Sequence, residues 1–164
     1  MMLRKSTIEL AKESMKFSAG HFTVFSKEIR ENLHGHNYNV YAAITTIVDD
    51  VGLSFDYRFY KTKLLNLCSS LNETVIIPKL CKYLSIHSSD KYVHVNFNNE
   101  EMLFLKRDVT LLNISNVTVE ELSFWILEEI KKDKKELEAN RISALTIKVF
   151  SGPGKSGSAS WEQV

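Results

Sequence analysis

The chain has 164 residues and a mass of 18.8 kDa, which predicts a single domain over residues 1–164. Hydrophobic residues make up 44% and charged residues 25%, so the chain can bury a core and does not have the composition of a disordered protein. Lysines and arginines number 21 against 20 acidic residues, and the net charge of +1 excludes a strongly basic nucleic-acid-binding protein.

Signals for export and for membrane insertion are not found in the sequence. Polar residues interrupt every apolar run well before the roughly 20 residues that a membrane-spanning helix needs. The N-terminal segment lacks the apolar region of a secretory signal. Cys68 and Cys81 are too few and too far apart for a disulfide scaffold. We therefore expect a cytoplasmic protein that contacts neither membrane nor nucleic acid.

The first predicted elements are extended. Residues 7–25 have an extended pattern, although residues 8–15 within them also fit a helix. Residues 37–48, NYNVYAAITTIV, are rich in β-branched and aromatic side chains and predict a strand. A turn at residues 50–54 then precedes a predicted helix over residues 55–71, whose apolar side chains recur at helical spacing: Phe55, Phe59, Leu64, Leu67 and Leu71.

The second half of the chain predicts a hairpin, a helix and two strands. Residues 92–97 alternate apolar and polar side chains and are followed by residues 102–105, which predicts a β-hairpin. A helix is predicted from Thr118, where Glu121 completes a capping box, through the lysine-rich stretch to residue 137, with a buried stripe formed by Leu122, Trp125, Ile126 and Ile130. Strands are predicted at residues 143–151 and 159–164, joined by the glycine-rich loop SGPGKSGS. Antiparallel strands with helices on one face constitute an α+β fold.

Three histidines are candidate metal ligands. His34 and His36 lie at the head of the predicted strand, and residues two apart on a strand point to the same face. His21 lies on the neighbouring extended segment, which can pair with that strand and bring it opposite the other two. Three histidines with an open fourth position form the catalytic type of zinc site. The same pattern also fits three unconnected histidines, and we expect no function for His87 or His94.

Two separated blocks around these histidines carry a resemblance to a known family. FSAGH and HGHNY resemble the zinc-binding signature of the 6-pyruvoyl-tetrahydropterin synthase and 6-carboxytetrahydropterin synthase family. SNVTVEELSFWILEEI and KVFSGPGKSGSASW resemble the helix and the final strand–loop–strand of that family. The resemblance implies the T-fold (tunnelling fold), in which an antiparallel four-stranded sheet carries two helices on one face, here with an inserted β-hairpin. It also implies that His21, His34 and His36 bind Zn²⁺.

Three positions depart from the pattern of most family members. No cysteine precedes HGHNY at the catalytic position; Glu31 stands three residues before this motif, as in a family branch where a glutamate replaces the cysteine. The Asp-His pair that assists proton transfer falls on Asn72 and Glu73, of which only Glu73 can act as a base. The glutamate that anchors the pterin ring falls on Ser151, while Glu120 matches a glutamate near the pterin pocket.

The resemblance implies a zinc-dependent lyase acting on 7,8-dihydroneopterin triphosphate or a related pterin, with 6-hydroxymethyl-7,8-dihydropterin as one implied product. Two alternatives stay open: a catalytically degenerate zinc-binding paralogue, and an enzyme acting on a non-pterin substrate. Glu31 also fits a solvated loop charge, and Glu120 an ordinary residue of a first helical turn. The family further implies a homohexamer, a dimer of trimers with active sites at subunit interfaces, which would cover the free edges of the sheet.

Overall fold

The computed structural model describes residues 4–163 and contains ten strands and three α-helices in that range. Their bounds, in chain order, are β1 Arg4–Leu10, β2 Lys16–His21, β3 His34–Val48, α1 Arg58–Leu71, β4 Thr74–Pro78, β5 Ser85–Ser88, β6 Tyr92–Phe97, β7 Glu100–Leu105, β8 Val109–Leu112, α2 Val119–Lys131, α3 Lys134–Ala139, β9 Ile142–Gly152 and β10 Lys155–Glu162. A single 3₁₀ turn, Lys106–Asp108, links β7 to β8. In the part of the chain described, no helix is both long and apolar enough to cross a membrane.

The main sheet is built around the long strand β3. Both β1 and β2 pair with β3 in antiparallel fashion, β1 along its second half and β2 along its first half, so the two occupy one position in the sheet. On the other side of β3 lie β9 and then β10, also antiparallel. The predicted four-stranded antiparallel sheet is therefore confirmed. Two short strands that the sequence did not predict, β4 and β8, extend it beyond β2 in parallel orientation.

The helices cover one face of this sheet, as predicted. Alternate residues of the central strands are buried, among them Phe17, Tyr38, Val40, Ile147 and Val149. They pack against the buried side chains of α1 and α2 in one apolar cluster. The buried row of α1 is Tyr60, Leu64, Cys68 and Leu71. The predicted stripe was right at Leu64 and Leu71 and wrong at two positions, since Phe59 is 49% exposed and Leu67 is only partly buried. Phe55 is buried but precedes the helix, because α1 begins only at Arg58.

The inserted β-structure is larger than predicted. The hairpin β6–β7 is confirmed, with Asn98 and Asn99 both at positive φ in its turn, and β5 adds a third strand on the other side of β6. This three-stranded sheet has its own apolar cluster, which includes Phe22, Val95 and Phe97. His87 lies on β5 directly opposite His94.

Three further local predictions needed correction. Residues 8–15 are not helical, because β1 continues to Leu10 in register with β3. The helix expected to reach residue 137 is divided: α2 ends at Lys131, and the Asp133 side chain accepts a hydrogen bond from Glu136 N at 3.0 Å to begin α3. The last strand begins at Lys155 instead of residue 159, so Gly157 belongs to β10 and the expected loop shrinks to a tight turn.

Candidate metal centre

The pairing of β2 with β3 brings three histidines together. His21 ends β2 opposite His34, and Ala19 lies opposite His36, so the three imidazoles share the helix-covered side of the sheet. Nε2 of His34 lies 3.1 Å from Nε2 of His36, and one ring nitrogen of each of the three residues falls within 4.8 Å of the others. Nitrogens bound tetrahedrally to one Zn²⁺ at ~2.0–2.1 Å are about 3.3 Å apart. The predicted triad is therefore assembled at a spacing that suits one cation.

Two backbone carbonyls set the tautomers of this triad. Nδ1 of His21 lies 3.0 Å from the carbonyl oxygen of Val117, and Nδ1 of His34 lies 2.8 Å from that of Asn32. Because a carbonyl can only accept, each Nδ1 carries the hydrogen and each Nε2 presents a lone pair. Nε2 of His21 is buried and has no hydrogen-bond partner among residues 4–163. Converging lone pairs and an orphaned buried nitrogen are the features expected of a site that binds a metal ion.

The electrostatics favour neutral imidazoles at His21 and His36. Burial, followed by the neighbouring His34 and His36, lowers the pKa of His21 to about 4. Burial, then His34 and Lys155, also lowers the pKa of His36. A histidine must be neutral at the coordinating nitrogen to bind a metal. These lowered pKa values therefore favour metal binding by His21 and His36 at neutral pH.

A carboxylate stands beside the triad on the loop that joins β2 to β3. The backbone N–H of Thr23 donates to Oε2 of Glu31 at 3.0 Å, and the N–H of Glu31 donates to the carbonyl of Thr23 at 2.8 Å. Burial alone would raise the pKa of Glu31, but the hydrogen bonds from Thr23 and the charges of His34 and His21 outweigh it, and the net pKa is lowered. Glu31 is therefore ionised at neutral pH and can accept a proton.

The histidines and Glu31 open into a pocket of about 240 Å³. Its remaining wall comes from the N-terminus of α2 and from the facing ends of β9 and β10. The lining residues outside the triad are Thr23, Phe25, Glu31, Tyr38, Thr118, Val119, Glu120, Ser151 and Lys155. Glu31, Glu120 and Ser151, all singled out in the sequence, therefore border the same cavity as the three histidines.

Glu73 does not border this pocket. It is exposed at the start of β4 and lines a neighbouring cavity of about 460 Å³, which shares only His36 with the pocket. The side chain of Asn72 accepts a hydrogen bond from Ser18 N at 2.8 Å, and Glu73 N donates to Ser18 O at 2.7 Å. Both residues thus tie the end of α1 to β2. Within the chain neither residue lines the pocket that the three histidines share.

The helix N-terminus at the pocket is formed by the predicted cap. The hydroxyl of Thr118 accepts a hydrogen bond from Glu121 N at 3.2 Å. The carboxylate of Glu121 accepts a hydrogen bond from Ser115 N, in the preceding loop, at 3.0 Å. In a complete capping box this carboxylate would accept from Thr118 N instead. The half of the capping box donated by Glu121 N is confirmed, and the helix start places Glu120 at the pocket with its side chain exposed.

Lys155 is the charged lining residue of this pocket that the sequence did not predict. It directly follows the tight turn after β9, and the register there shifts so that Ser151 is the unpaired residue of a β-bulge. The bulge places Ser151 and Lys155 together at the pocket wall. The closely spaced glycines before Lys155 were the available signal, since they mark a tight turn that delivers the next residue to a strand end.

Comparison with known proteins gives consistent matches over nearly the whole chain. A family model described as 6-pyruvoyl tetrahydropterin synthase matches residues 9–160. A Methanocaldococcus jannaschii protein named "Putative 6-carboxy-5,6,7,8-tetrahydropterin synthase" is 26% identical over 142 residues, which are 86% of this chain and 86% of that protein. The solved 6-pyruvoyl tetrahydropterin synthase of Plasmodium falciparum superposes with a TM-score of 0.90 at 26% identity, over 97% of this chain and 99% of that one. That of Plasmodium vivax gives a TM-score of 0.91 at 24% identity, over 98% and 99% of the two chains.

Proposed function

The chain belongs to the 6-pyruvoyl tetrahydropterin synthase family, and we propose that it is a zinc-dependent lyase acting on 7,8-dihydroneopterin triphosphate or a related dihydropterin. The observation that carries the proposal is the placement of Glu31 in one pocket with three histidines whose ring nitrogens converge. The T-fold itself hosts this site at the end of the β2–β3 pair.

The metal half of the proposal rests on His21, His34 and His36. These residues would hold Zn²⁺ and leave a fourth position open to the side-chain hydroxyls of the substrate. When bound, zinc would supply Lewis-acid chemistry that acidifies those hydroxyls and the adjacent C–H bonds. The carbonyls of Val117 and Asn32 keep the rings of His21 and His34 oriented toward the shared point.

Glu31 is the proposed general base. Its lowered pKa keeps it ionised at neutral pH, so it can accept a proton from the substrate side chain and later return it. Proton removal at the side chain leads either to elimination of triphosphate or to cleavage of a carbon–carbon bond. The hydrogen bond from Thr23 N to Oε2 fixes the carboxylate at the wall of the pocket that the three histidines line.

The opposite wall is proposed to bind the rest of the substrate. Glu120 and Ser151 border the place for the pterin ring, and the ammonium of Lys155 is suited to an anionic group such as a phosphate. Ser151 offers one oxygen where a carboxylate would accept two parallel hydrogen bonds. Losing such a charge-assisted pair in a closed pocket costs about 1.5–3 kcal/mol.

Assembly is the remaining part of this proposal. We expect a cytoplasmic homohexamer made of two trimers, because β8 and β10 end the sheet and unpaired edges favour pairing with other copies. Glu73 is exposed and lies outside the pocket of its own chain, so in the hexamer it would contribute only to the pocket of a neighbouring subunit. Light scattering at micromolar concentration tests this, and a monomer would contradict it.

Incubation of the purified, zinc-loaded protein with dihydroneopterin triphosphate, followed by chromatography of the pterin products, tests the function. We expect a new 6-substituted pterin, a tetrahydropterin after elimination of triphosphate or a dihydropterin after carbon–carbon cleavage, and we expect this product to be lost in a His36→Ala variant. Elemental analysis of the same samples should show about one zinc per chain in the wild type. Wild-type protein that holds zinc but converts no dihydropterin would overturn the lyase assignment.

A second candidate function is a zinc-binding paralogue without lyase activity. Two observations favour it: Ser151 stands where the family anchors the pterin with a glutamate, and the side chain of Asn72 is engaged with the backbone of β2. This candidate predicts stoichiometric zinc together with no conversion of any dihydropterin. The same pair of measurements therefore separates the two candidates.

A further inference from the structure

Arg30 joins three parts of the molecule beside the pocket. Its guanidinium carbon lies 5.3 Å from the ring centroid of Phe22 and 5.7 Å from that of Phe97. Nη2 forms a 3.2 Å ion pair with Glu100, and Nη1 donates to the carbonyl oxygen of Glu31 at 2.8 Å. The side chain of Arg30 is only 18% exposed. A single planar side chain thus contacts the residue after a metal ligand, the inserted sheet and the backbone of the proposed base.

The loop that carries Glu31 has few other restraints on that side. An isolated bridge joins Val24 to Arg30, and the two hydrogen bonds between Thr23 and Glu31 close the loop on itself. These interactions fix the loop internally, and the side chain of Asn116 links it to the segment before α2 through Val24. Toward the inserted sheet, the hydrogen-bonded ion pair between Arg30 and Glu100 crosses from the loop to β7.

The inserted sheet contributes no lining residue to the pocket. Its cluster nevertheless includes Phe22, directly after His21, and Phe97, which lies at the end of β6 next to the turn before Glu100. The guanidinium packs on the two rings and pairs with Glu100, and these contacts attach the loop to the inserted sheet. The contacts of Arg30 therefore supply a role for an element that the proposed reaction leaves unused.

We propose that Arg30 is the positioning residue for Glu31, and that the inserted sheet β5–β7 acts on the site through it. The proposal rests on the function proposed for Glu31. A shift of the base by about 1 Å can cost a large factor in rate even when the chemistry of the group is unchanged. Arg30 touches the backbone of Glu31 and not the pocket, so it acts on proton transfer only through that residue.

A lysine cannot reproduce this arrangement. The fork of arginine donates to two acceptors in different directions while its flat face packs on aromatic rings, whereas a lysine ammonium is a compact point charge. Nε of Arg30 is buried with no hydrogen-bond partner among residues 4–163, so the charge already depends on its Nη contacts. Loss of Glu100 or of the fork would therefore loosen the loop.

The first test measures the loop directly in zinc-loaded protein, without reference to turnover. Amide hydrogen exchange at Thr23 and Glu31 reports the two hydrogen bonds that hold the carboxylate. In Arg30→Met we expect exchange at these two amides to accelerate by about tenfold or more, and in the milder Glu100→Gln by about two- to fivefold. Arg58→Met, which breaks the exposed ion pair with Asp56, is the matched control and should leave both amides unchanged. Unchanged exchange in Arg30→Met would overturn the proposal.

The second test separates positioning from general destabilisation. For Arg30→Met and Arg30→Lys we expect kcat to fall about tenfold or more, with KM and zinc content within about twofold of wild type. In a Glu31→Gln background, Arg30→Met should cause no further loss, because the residue acts through Glu31. A full additional loss in that background, or wild-type kcat in Arg30→Lys, would refute positioning. Faster exchange in a protein without any turnover would leave the positioning role standing and would count against the lyase function alone.

Discussion

The approach of β10 to α2 makes a sharp prediction about Gly157. A Cβ built on this glycine would lie 2.6 Å from both Glu120 N and Val119 C, and 2.8 Å from Val119 O. Real Cβ atoms essentially never come within 3.0 Å of another heavy atom and ordinary contacts begin at 3.4 Å, so Gly157→Ala requires a displacement of about 0.4 Å at least and about 0.8 Å for an ordinary contact. The atoms in the way are the backbone of the first turn of α2, which cannot rotate aside as a side chain can.

The size of the effect follows from overpacking a buried contact. Forcing an extra methyl group into a packed interior costs about 1–3 kcal/mol, and for a chain of this length each kcal/mol lowers Tm by about 2–4 °C. We therefore expect Gly157→Ala to lower Tm by about 2–12 °C. The same shift moves Thr118 and Glu120 at the pocket wall, so KM for the dihydropterin should rise while the zinc content stays near wild type.

Calorimetry of the zinc-loaded protein, together with steady-state kinetics, measures both effects. Gly35→Ala is the thermal control, since its Cβ would meet only Ala19 O, at 3.5 Å, and it should melt within about 1 °C of wild type. A Gly157→Ala protein that melts with the wild type would show that α2 does not approach β10 this closely. The reasoning about the pocket wall would then fail with it.

Four other changes have defined outcomes. Glu31→Gln should reduce turnover about 10²–10⁴-fold at unchanged zinc content, whereas Glu28→Gln, an exposed neighbour on the same loop, should not; equal activity of the two variants would remove Glu31 from its role. His34→Ala should lose the metal, as measured by elemental analysis, and retention of stoichiometric zinc would contradict metal binding by the three histidines. Lys155→Met should raise KM about tenfold or more for a phosphorylated dihydropterin but not for its dephosphorylated form, and equal effects on both would argue against a phosphate contact. Burial raises the folded-state pKa of Glu136, and Asp133 adds to this shift while Tyr60 and Lys63 oppose it, so the folded state binds the proton more tightly than the unfolded state does. Glu136→Gln should therefore raise Tm at pH 7. Calorimetry should show this gain in Tm shrinking as the pH falls through the folded-state pKa toward ~4.3, and a gain independent of pH would exclude this cause.

The sequence was informative where chemistry and strand geometry act over short distances. His34 and His36 share a face because they are two apart on a strand, and His21 faces them because the loop that joins β2 to β3 returns the chain antiparallel. The central strands and α2 were likewise evident from alternation and from a cap at Thr118. These features depend on residues close together in the chain, so a single sequence contains them.

The unpredicted strands lack such a local signal. β4 and β8, TVIIP and VTLL, are short apolar runs without alternation, as is usual for parallel strands buried on both faces, and such runs cannot be assigned by periodicity alone. Gly157 was assigned to a loop because glycine usually marks one, but its reason is the α2 backbone that packs on it. The role inferred for Arg30 depends on Glu100, seventy residues along the chain. Each of these is decided by tertiary contacts.

The two halves of the candidate site are joined at the segment before α2. The pairing of β2 with β3 brings the three histidines together, but the carbonyl of Val117 orients the ring of His21, and the next residue, Thr118, caps α2 and lines the pocket. The β9–β10 bulge supplies another part of the wall, where it presents the hydroxyl of Ser151 and the ammonium of Lys155. We expect substitutions at Ser151 or Lys155 to change which molecule fits while the zinc content stays near wild type. Zinc content alone consequently cannot distinguish the lyase from a zinc-binding paralogue. The dependence of KM on the phosphate of the substrate, measured with Lys155→Met, tests directly which molecule the pocket binds.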